Sequence, residues 1–302
     1  MRIAHLILVH QGPAQLARLL QRLAHPQATC FVHLDAKADF ADFAHLAGQP
    51  GVMFTRARLS VRWGGYSLTE AALAGLAEML AHPGPAFTYF NVLSGQDYPL
   101  RPAADIHRFF EQHPGISFME YDAPDSPWWQ ANRSRAEQYH LTEYSFPGRY
   151  GVQRLLNAVL PRRRFPLPGY ELYGGRMGGW YTLSHECARY VVDFVAARPA
   201  LRRFARLTWG SDEFLLHTIL LNSPLRALIV NNNLRYIDWS GGGASPRTFT
   251  LADLPALLAT DRLWARKFDP RHDAAVLDAL DERVLGVTPA APAASAPGSL
   301  SS

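Results

Sequence analysis

Residues 3–34 read IAHLILVHQGPAQLARLLQRLAHPQATCFVHL, and their pattern decides the fold. Ile3 to Val9 is a continuous apolar run, the pattern of a strand buried on both faces. Gly12 and Pro13 break the run, and Leu16, Leu19, Leu20 and Leu23 then recur at helical spacing. A second strand is expected from Thr29 to Leu34, ending at Asp35. Strand, helix and strand in this order predict a parallel sheet that starts near the N-terminus.

The same alternation continues outward. Val52 to Thr55 reads as a short strand, Leu68 to Leu80 as a helix, and Phe87 to Leu93 as a buried strand. Ser94-Gly95-Gln96-Asp97 reads as a turn. A helix is expected over Asp105 to His113 and a strand over Gly115 to Tyr121. From Asp122 to about Gly175 the pattern changes, with Trp128, Trp129, tyrosines, prolines and an arginine cluster. Such an insertion in an α/β chain reads as a binding loop. Regularity resumes at Gly178. A strand is expected over Trp180 to Leu183, then helices over His185 to Ala196 and Ser211 to Leu221. Ser211 is placed as the N-cap of the second. Leu228 to Val230 reads as a strand. The expected organisation is one α/β domain over residues 1–286, with 122–175 inserted, and a disordered Pro/Ala/Ser tail over 287–302.

Composition narrows the function. The 302 residues are 48% hydrophobic and 19% charged, which supports a packed core and argues against disorder. No apolar run reaches the ~18 residues that span a bilayer. The N-terminus lacks the features of a signal peptide. Cys30 and Cys187 cannot make a disulfide framework or a four-thiolate zinc site. A reducing compartment and a cytoplasmic location are therefore expected. A net charge of +4 is too weak for a dedicated nucleic-acid binder, so no nucleic-acid partner is expected. The one basic cluster is Arg162 to Arg164, with Arg149 and Arg154 upstream. The amphipathic piece Val152 to Leu160 is compatible with peripheral contact at a membrane, but packing on its own domain is the expected arrangement. There is no GxGxxG after the first strand, no Walker A loop, no HExxH and no Asp-x-Asp, so no metal ligand set is evident.

Polar residues at strand ends are the candidates for chemistry, because ligands of open α/β sheets bind there. Asp35 suits a nucleoside base or ribose, or else caps a turn. Trp63-Gly64-Gly65 is a close-approach site or a plain turn. Asp97 is functional or ties its turn. Glu213, in the first turn of a helix capped by Ser211, would be kept ionised by the helix dipole and would suit a general base. Acidic residues also stand in first turns for stability alone. Asp212 is its neighbour, and one of the two is expected to face solvent. Arg266 and Lys267, between Trp264 and Phe268, suit a diphosphate or a solvated basic turn. Arg235 is a third candidate cation.

Several stretches together make the chain resemble the core-2/I-branching β-1,6-N-acetylglucosaminyltransferase family, which includes peptide O-xylosyltransferases. They are HLILVH, VHLDAK, WGGYS, LSGQDYPL, GGWYTLS, SDEFLLHTILLNSP, NNNLRYIDW and ARKFD, in family order from Ile3 to about Asp281. The resemblance to the xylosyltransferase branch is the closer one. It implies a glycosyltransferase-A type fold, a UDP-sugar donor, inversion at the anomeric carbon and no divalent metal or other cofactor. Glu213 matches the family's base. Lys267 and Arg266 match its diphosphate cations, with Arg235 as a second site. Asp35 matches the strand-end aspartate near uracil and ribose, with Val9, Trp63 and Gly64 beside it. Asp97, Trp128, Trp129 and Trp180 are expected around the donor and acceptor sugars. One departure stands out: xylosyltransferases carry an acidic residue just before the Trp of GGWYTLS, and here that position is Gly179. The expected function is transfer of N-acetylglucosamine or xylose from a UDP-sugar to a glycan or protein hydroxyl. The alternative is a nucleotide-sugar- or carbohydrate-binding protein without turnover.

Overall fold

The computed structural model describes residues 1–243, 245–284 and 286, so the expected tail lies outside the described residues. The opening apolar run forms strand β1 (Ile3–Val9), buried everywhere except at Leu8. It is followed in the chain by β2 (Ala28–Leu34), β3 (Val52–Phe54), β4 (Tyr89–Ser94) and β5 (Asp97–Pro99). Then come β6 (Ser117–Met119), β7 (Tyr181–Ser184), β8 (Ile229–Asn231), β9 (Arg235–Ile237) and β10 (Trp264–Arg266). Seven strands make one sheet in the order β3-β2-β1-β4-β7-β6-β8. Within it, β7 runs against both its neighbours and the other pairings are parallel. The expected mostly parallel α/β sheet is therefore present.

Side chains of β1 alternate between two layers, as the period-two pleat requires. Ile3, Ile7 and Val9 pack with Leu16, Leu19 and Leu23 of helix Pro13–Leu23 and with Val276 and Leu280 of helix Ala275–Arg283. Ala4 and Leu6 face the opposite layer. There they meet helices Tyr66–Leu80, His185–Ala196 and Leu215–Leu221. Burial on both faces is why this strand reads as unbroken hydrophobicity.

The sequence reading did not foresee a second sheet, of order β5-β10-β9. Each of its strands has three residues, too few for a period to register. Its register sets Arg266 opposite Asp97 and Trp264 opposite Arg235. A second difference concerns Ser211–Leu221, which is two elements rather than one helix. A 3₁₀ turn, Ser211–Glu213, precedes the α-helix Leu215–Leu221. Ser211 caps neither: its hydroxyl is buried against the Thr69 hydroxyl at 2.8 Å. A third difference is that the insertion is not loop throughout. It carries helices Pro127–Asn132, Ser134–Glu137 and Arg149–Val159.

Chain segments far apart in sequence are stapled at Asp281. Its carboxylate is 1% exposed and accepts from Tyr98 Oη (2.5 Å), Arg22 Nε (2.8 Å) and Arg18 Nε (2.9 Å). Gln15 Nε2 donates to the Phe268 carbonyl at 3.0 Å nearby. Removing one partner of a buried charge cluster strands the others. Asp281→Ala should therefore lower unfolding free energy by about 3 kcal/mol in urea titration, with the m-value unchanged. A loss under about 1 kcal/mol would show that the cluster is only a surface ion pair.

Candidate active site at the carboxyl edge of the sheet

From β1 the chain crosses to β2 on one side and reaches β4 on the other. That topology opens a crevice at the carboxyl ends of the strands. Because β7 runs antiparallel, its first residue, Tyr181, and the preceding Trp180 stand at that same edge.

Glu213 is seated by its backbone. Its carbonyl accepts from the Gly175 amide at 2.9 Å. A Cβ on Gly174 or Gly178 would lie 2.5 Å from that oxygen, so the GGRMGG stretch can approach only as glycine. On the other side the Gly210 amide donates to the Gly64 carbonyl at 2.7 Å. Gly64 has φ +70, and a Cβ there would meet Trp209 Nε1 at 2.5 Å. Gly64 is thus a close-approach position whose neighbour is the tryptophan four residues before Glu213. Ser67 fastens the same loop to the insertion, its amide and hydroxyl donating to Glu143 Oε1 at 2.7 and 3.0 Å.

The Glu213 carboxylate is ion-paired with Arg135 of the insertion. Arg135 is itself held by Asn132 Oδ1 at 2.8 Å and lies over the rings of Trp209 (4.0 Å) and Trp128 (5.1 Å). Burial, with the neighbouring Asp212 charge, pushes the Glu213 carboxyl up to about 7, against the pull of Arg135 and Arg176. Burial also lifts Asp212 to about 6, opposed by a backbone hydrogen bond and by Arg135 and Arg266. This corrects the expectation from the sequence. No α-helix begins at Glu213, so no dipole holds it ionised, and its carboxyl is shifted upward. Asp212 and Glu213 are both half-buried, so neither is turned out to solvent. A Cβ on Gly179 would start 3.1 Å from Asp212 Oδ2. The space beside Gly179 thus already holds a carboxylate.

Across the site lies a buried cationic wall built on the small sheet. Arg266 is 11% exposed, and its guanidinium lies 3.9 Å from the centre of the Trp180 ring. Its Nε is 3.7 Å from Asp97 Oδ1, beyond hydrogen-bond reach, and Nε and Nη1 have no hydrogen-bond partner among the described residues. Lys267 follows, half-buried. Trp180, Tyr181, Gly179 and Asp212 line a small pocket with Leu8 and Thr69. Asp97 is fully buried and accepts from the Ser94 amide, so it lies under the arginines rather than in reach of a sugar. Arg235 is also not where it was expected. Its guanidinium is buried and donates to Asn91 Oδ1 and to the carbonyls of Asn233, Val92 (2.8 Å) and Tyr181 (3.3 Å). That makes it a structural cation beneath the site, not a free ligand for a diphosphate.

The nucleoside candidates are more scattered. Val9 is buried at the end of β1, where a Cβ on Gly95 would lie 3.3 Å from Val9 Cγ2. Asp35 is buried and accepts from the amides of Lys37 (2.8 Å) and Val61 (3.1 Å) and from Lys37 Nζ (2.9 Å). Burial raises its pKa, and these bonds outweigh burial to leave it lowered. Of the two roles left open for Asp35, the structure shows the turn tie. Trp63 is 63% exposed and meets Trp209 edge-on. Trp129 cannot offer a face to an acceptor, being 1% exposed and packed with Ala136, Phe204 and Phe214. Trp128, half-buried beside Arg135, keeps that role open. The sequence reading missed Arg135, Trp209 and Glu143, because nothing in their spacing signals a meeting with residues 64–67 and 213. Among the described residues, no three His, Cys, Asp or Glu side chains gather where they could hold a metal ion.

Residues 3–259 match the family model described as Core-2/I-Branching enzyme. Xylosyltransferase 2 of Canis lupus familiaris is 29% identical over 311 residues, an alignment covering 95% of this chain and 34% of that protein. Xylosyltransferase 1 of the same species is 26% identical over 321 residues, covering 96% and 31%. The chain thus spans about a third of the length of the curated relatives it matches. Among solved structures, mouse xyloside xylosyltransferase 1 in its apo form aligns over 88% of this chain and 97% of that one, at 12% identity and a TM-score of 0.39. The family match runs from β1 through the crevice and Glu213 to helix Leu254–Ala259, and this chain belongs to the Core-2/I-branching enzyme family.

Proposed function

We propose that the chain is an inverting, metal-independent glycosyltransferase that moves N-acetylglucosamine or xylose from a UDP-sugar to a hydroxyl of a glycan or protein. One observation carries the reading: the buried Arg266 guanidinium, stacked on Trp180, with two nitrogens lacking partners. Unpaired buried donors are costly, and an anion in the crevice relieves that cost. The diphosphate of a nucleotide sugar is such an anion, and Lys267 adjoins it.

In this reading Glu213 takes the proton of the acceptor hydroxyl. The hydroxyl oxygen forms its bond to the anomeric carbon from the face opposite the diphosphate. The bond from that carbon to the diphosphate oxygen breaks, and UDP leaves with the electron pair. Arg266 and Lys267 stabilise the charge that grows there, in the role a metal fills elsewhere. Arg135 holds Glu213 in place until an acceptor enters beside Trp128. The family membership and the xylosyltransferase relatives support transfer of a sugar. The donor and acceptor named here are part of the proposal.

Four measurements test it. Glu213→Gln should abolish transfer while UDP binding, followed by calorimetry, persists; full activity in this variant would remove Glu213 as the base. Arg266→Ala should weaken binding of the preferred UDP-sugar in a donor panel by about tenfold to a hundredfold. EDTA should leave wild-type binding unchanged, and strict metal dependence would overturn the metal-free grip. The base acts deprotonated, so kcat/KM should rise with pH through about 7. Asp212→Asn removes a negative neighbour and should move that limb to lower pH. Arg135→Gln removes a positive one and should move it to higher pH. A limb unmoved by both would assign it to another group.

A further inference from the structure

The helix Arg149–Val159 is docked the wrong way round for a helix of a water-soluble surface. Its polar side chains face the protein: Gln153 Oε1 accepts from the Leu141 amide at 2.9 Å, and Asn157 brackets the Tyr139 backbone at 2.8 and 2.9 Å. Its apolar stripe faces out. Val152, Leu155 and Val159, at i, i+3 and i+7, share one side, and Leu155 and Val159 are 62% and 66% exposed. Phe146 just before the helix and Leu160 just after it are exposed as well. The helix does rest on its own domain, as expected, but through its polar side and not through its apolar stripe.

The charge carried by this segment itself has one sign. From Tyr144 to Tyr170 the chain holds five arginines and no acidic residue. Arg154 stands exposed on the helix. Beyond the helix an open cleft is lined by Glu137, Pro161 and Arg162 to Arg164. Arg163 turns inward, donating to the carbonyls of Leu207 and Gln138, which leaves Arg162 and Arg164 exposed. Arg162 is paired with Glu137 at 3.0 Å, whereas Arg154 and Arg164 make no ion pair among the described residues. An apolar helical face flanked by such arginines matches the interface of an anionic bilayer, where apolar side chains enter the acyl boundary and cations meet headgroup phosphates.

We propose that this face docks the protein on an anionic lipid surface. The docking does not depend on the chemistry proposed above, and its test needs no turnover. The full chain should co-sediment with vesicles of phosphatidylcholine mixed with phosphatidylglycerol and not with phosphatidylcholine alone. Binding should weaken as salt rises. Leu155→Asp with Val159→Asp, both at exposed positions, should abolish binding without lowering the melting temperature. Arg154→Glu with Arg164→Glu, which leaves the apolar stripe intact, should weaken binding about tenfold. Absence of binding to anionic vesicles, or binding untouched by both double variants, would overturn the proposal. So would self-association of the wild type that the Leu155/Val159 variant abolishes, since the face would then belong to a second copy.

Discussion

Two guanidinium groups buried beside a single carboxylate are the constraint on which the rest of the site depends. Asp97, Arg235 and Arg266 come from three different strands of the small sheet, and its register brings them together. Such a cluster is costly to bury unless every donor is answered. Arg235 is answered at both terminal nitrogens by carbonyl oxygens and Asn91, though not at Nε, with the Trp264 ring 5.0 Å from its guanidinium carbon. Arg266 has the face of Trp180 and a distant Asp97. Burial lowers Arg235 to about 9 despite Asp97, with Arg266 adding to the fall. Burial holds the neighbouring His5 down near 3, helped by His107 and Arg235. The wall therefore carries an excess of positive charge that the protein itself does not cancel.

The opposite wall has the reverse sign. Asp212 lines the small pocket, and its charge makes the neighbouring Glu213 harder to ionise. Arg135, sandwiched between Trp209 and Trp128, bridges this acidic pair to the insertion. A cleft with cations on one side and carboxylates on the other orients a bound molecule whose two ends differ in charge. The glycines on both sides of Glu213 let backbone approach backbone, so its main chain is seated by main chain while Arg135 holds its carboxylate.

What was legible in the sequence follows from which physics is local. The β1–helix–β2 unit was readable because burial on both faces leaves an unbroken apolar run and the helix repeats its leucines. Glu213 and Arg266 were readable because motifs kept them in order. The three-residue strands of the small sheet were not, because they are made by pairing and carry no period. Ser211 looked like a cap, yet Thr69, distant in sequence, claims its hydroxyl. Arg235 and Trp129 looked available because nothing in a linear pattern tells a buried arginine or tryptophan from an exposed one. The helix Arg149–Val159 shows the same limit in another form. Periodicity reveals that a helix has two faces, but not which of them meets the protein.

The Asp281 staple also bears on the order in which this molecule can be completed. Helix Pro13–Leu23 is made well before the carboxylate that pairs its Arg22, which lies 259 residues later in the chain. Until that residue emerges, Arg18, Arg22 and Tyr98 have no buried acceptor, and the helix rests on its leucines alone. The first unit of the sheet is therefore made long before it is secured. A nascent chain must carry that half-finished surface while the 259 residues up to Asp281 are added, an interval in which exposed apolar faces find wrong partners.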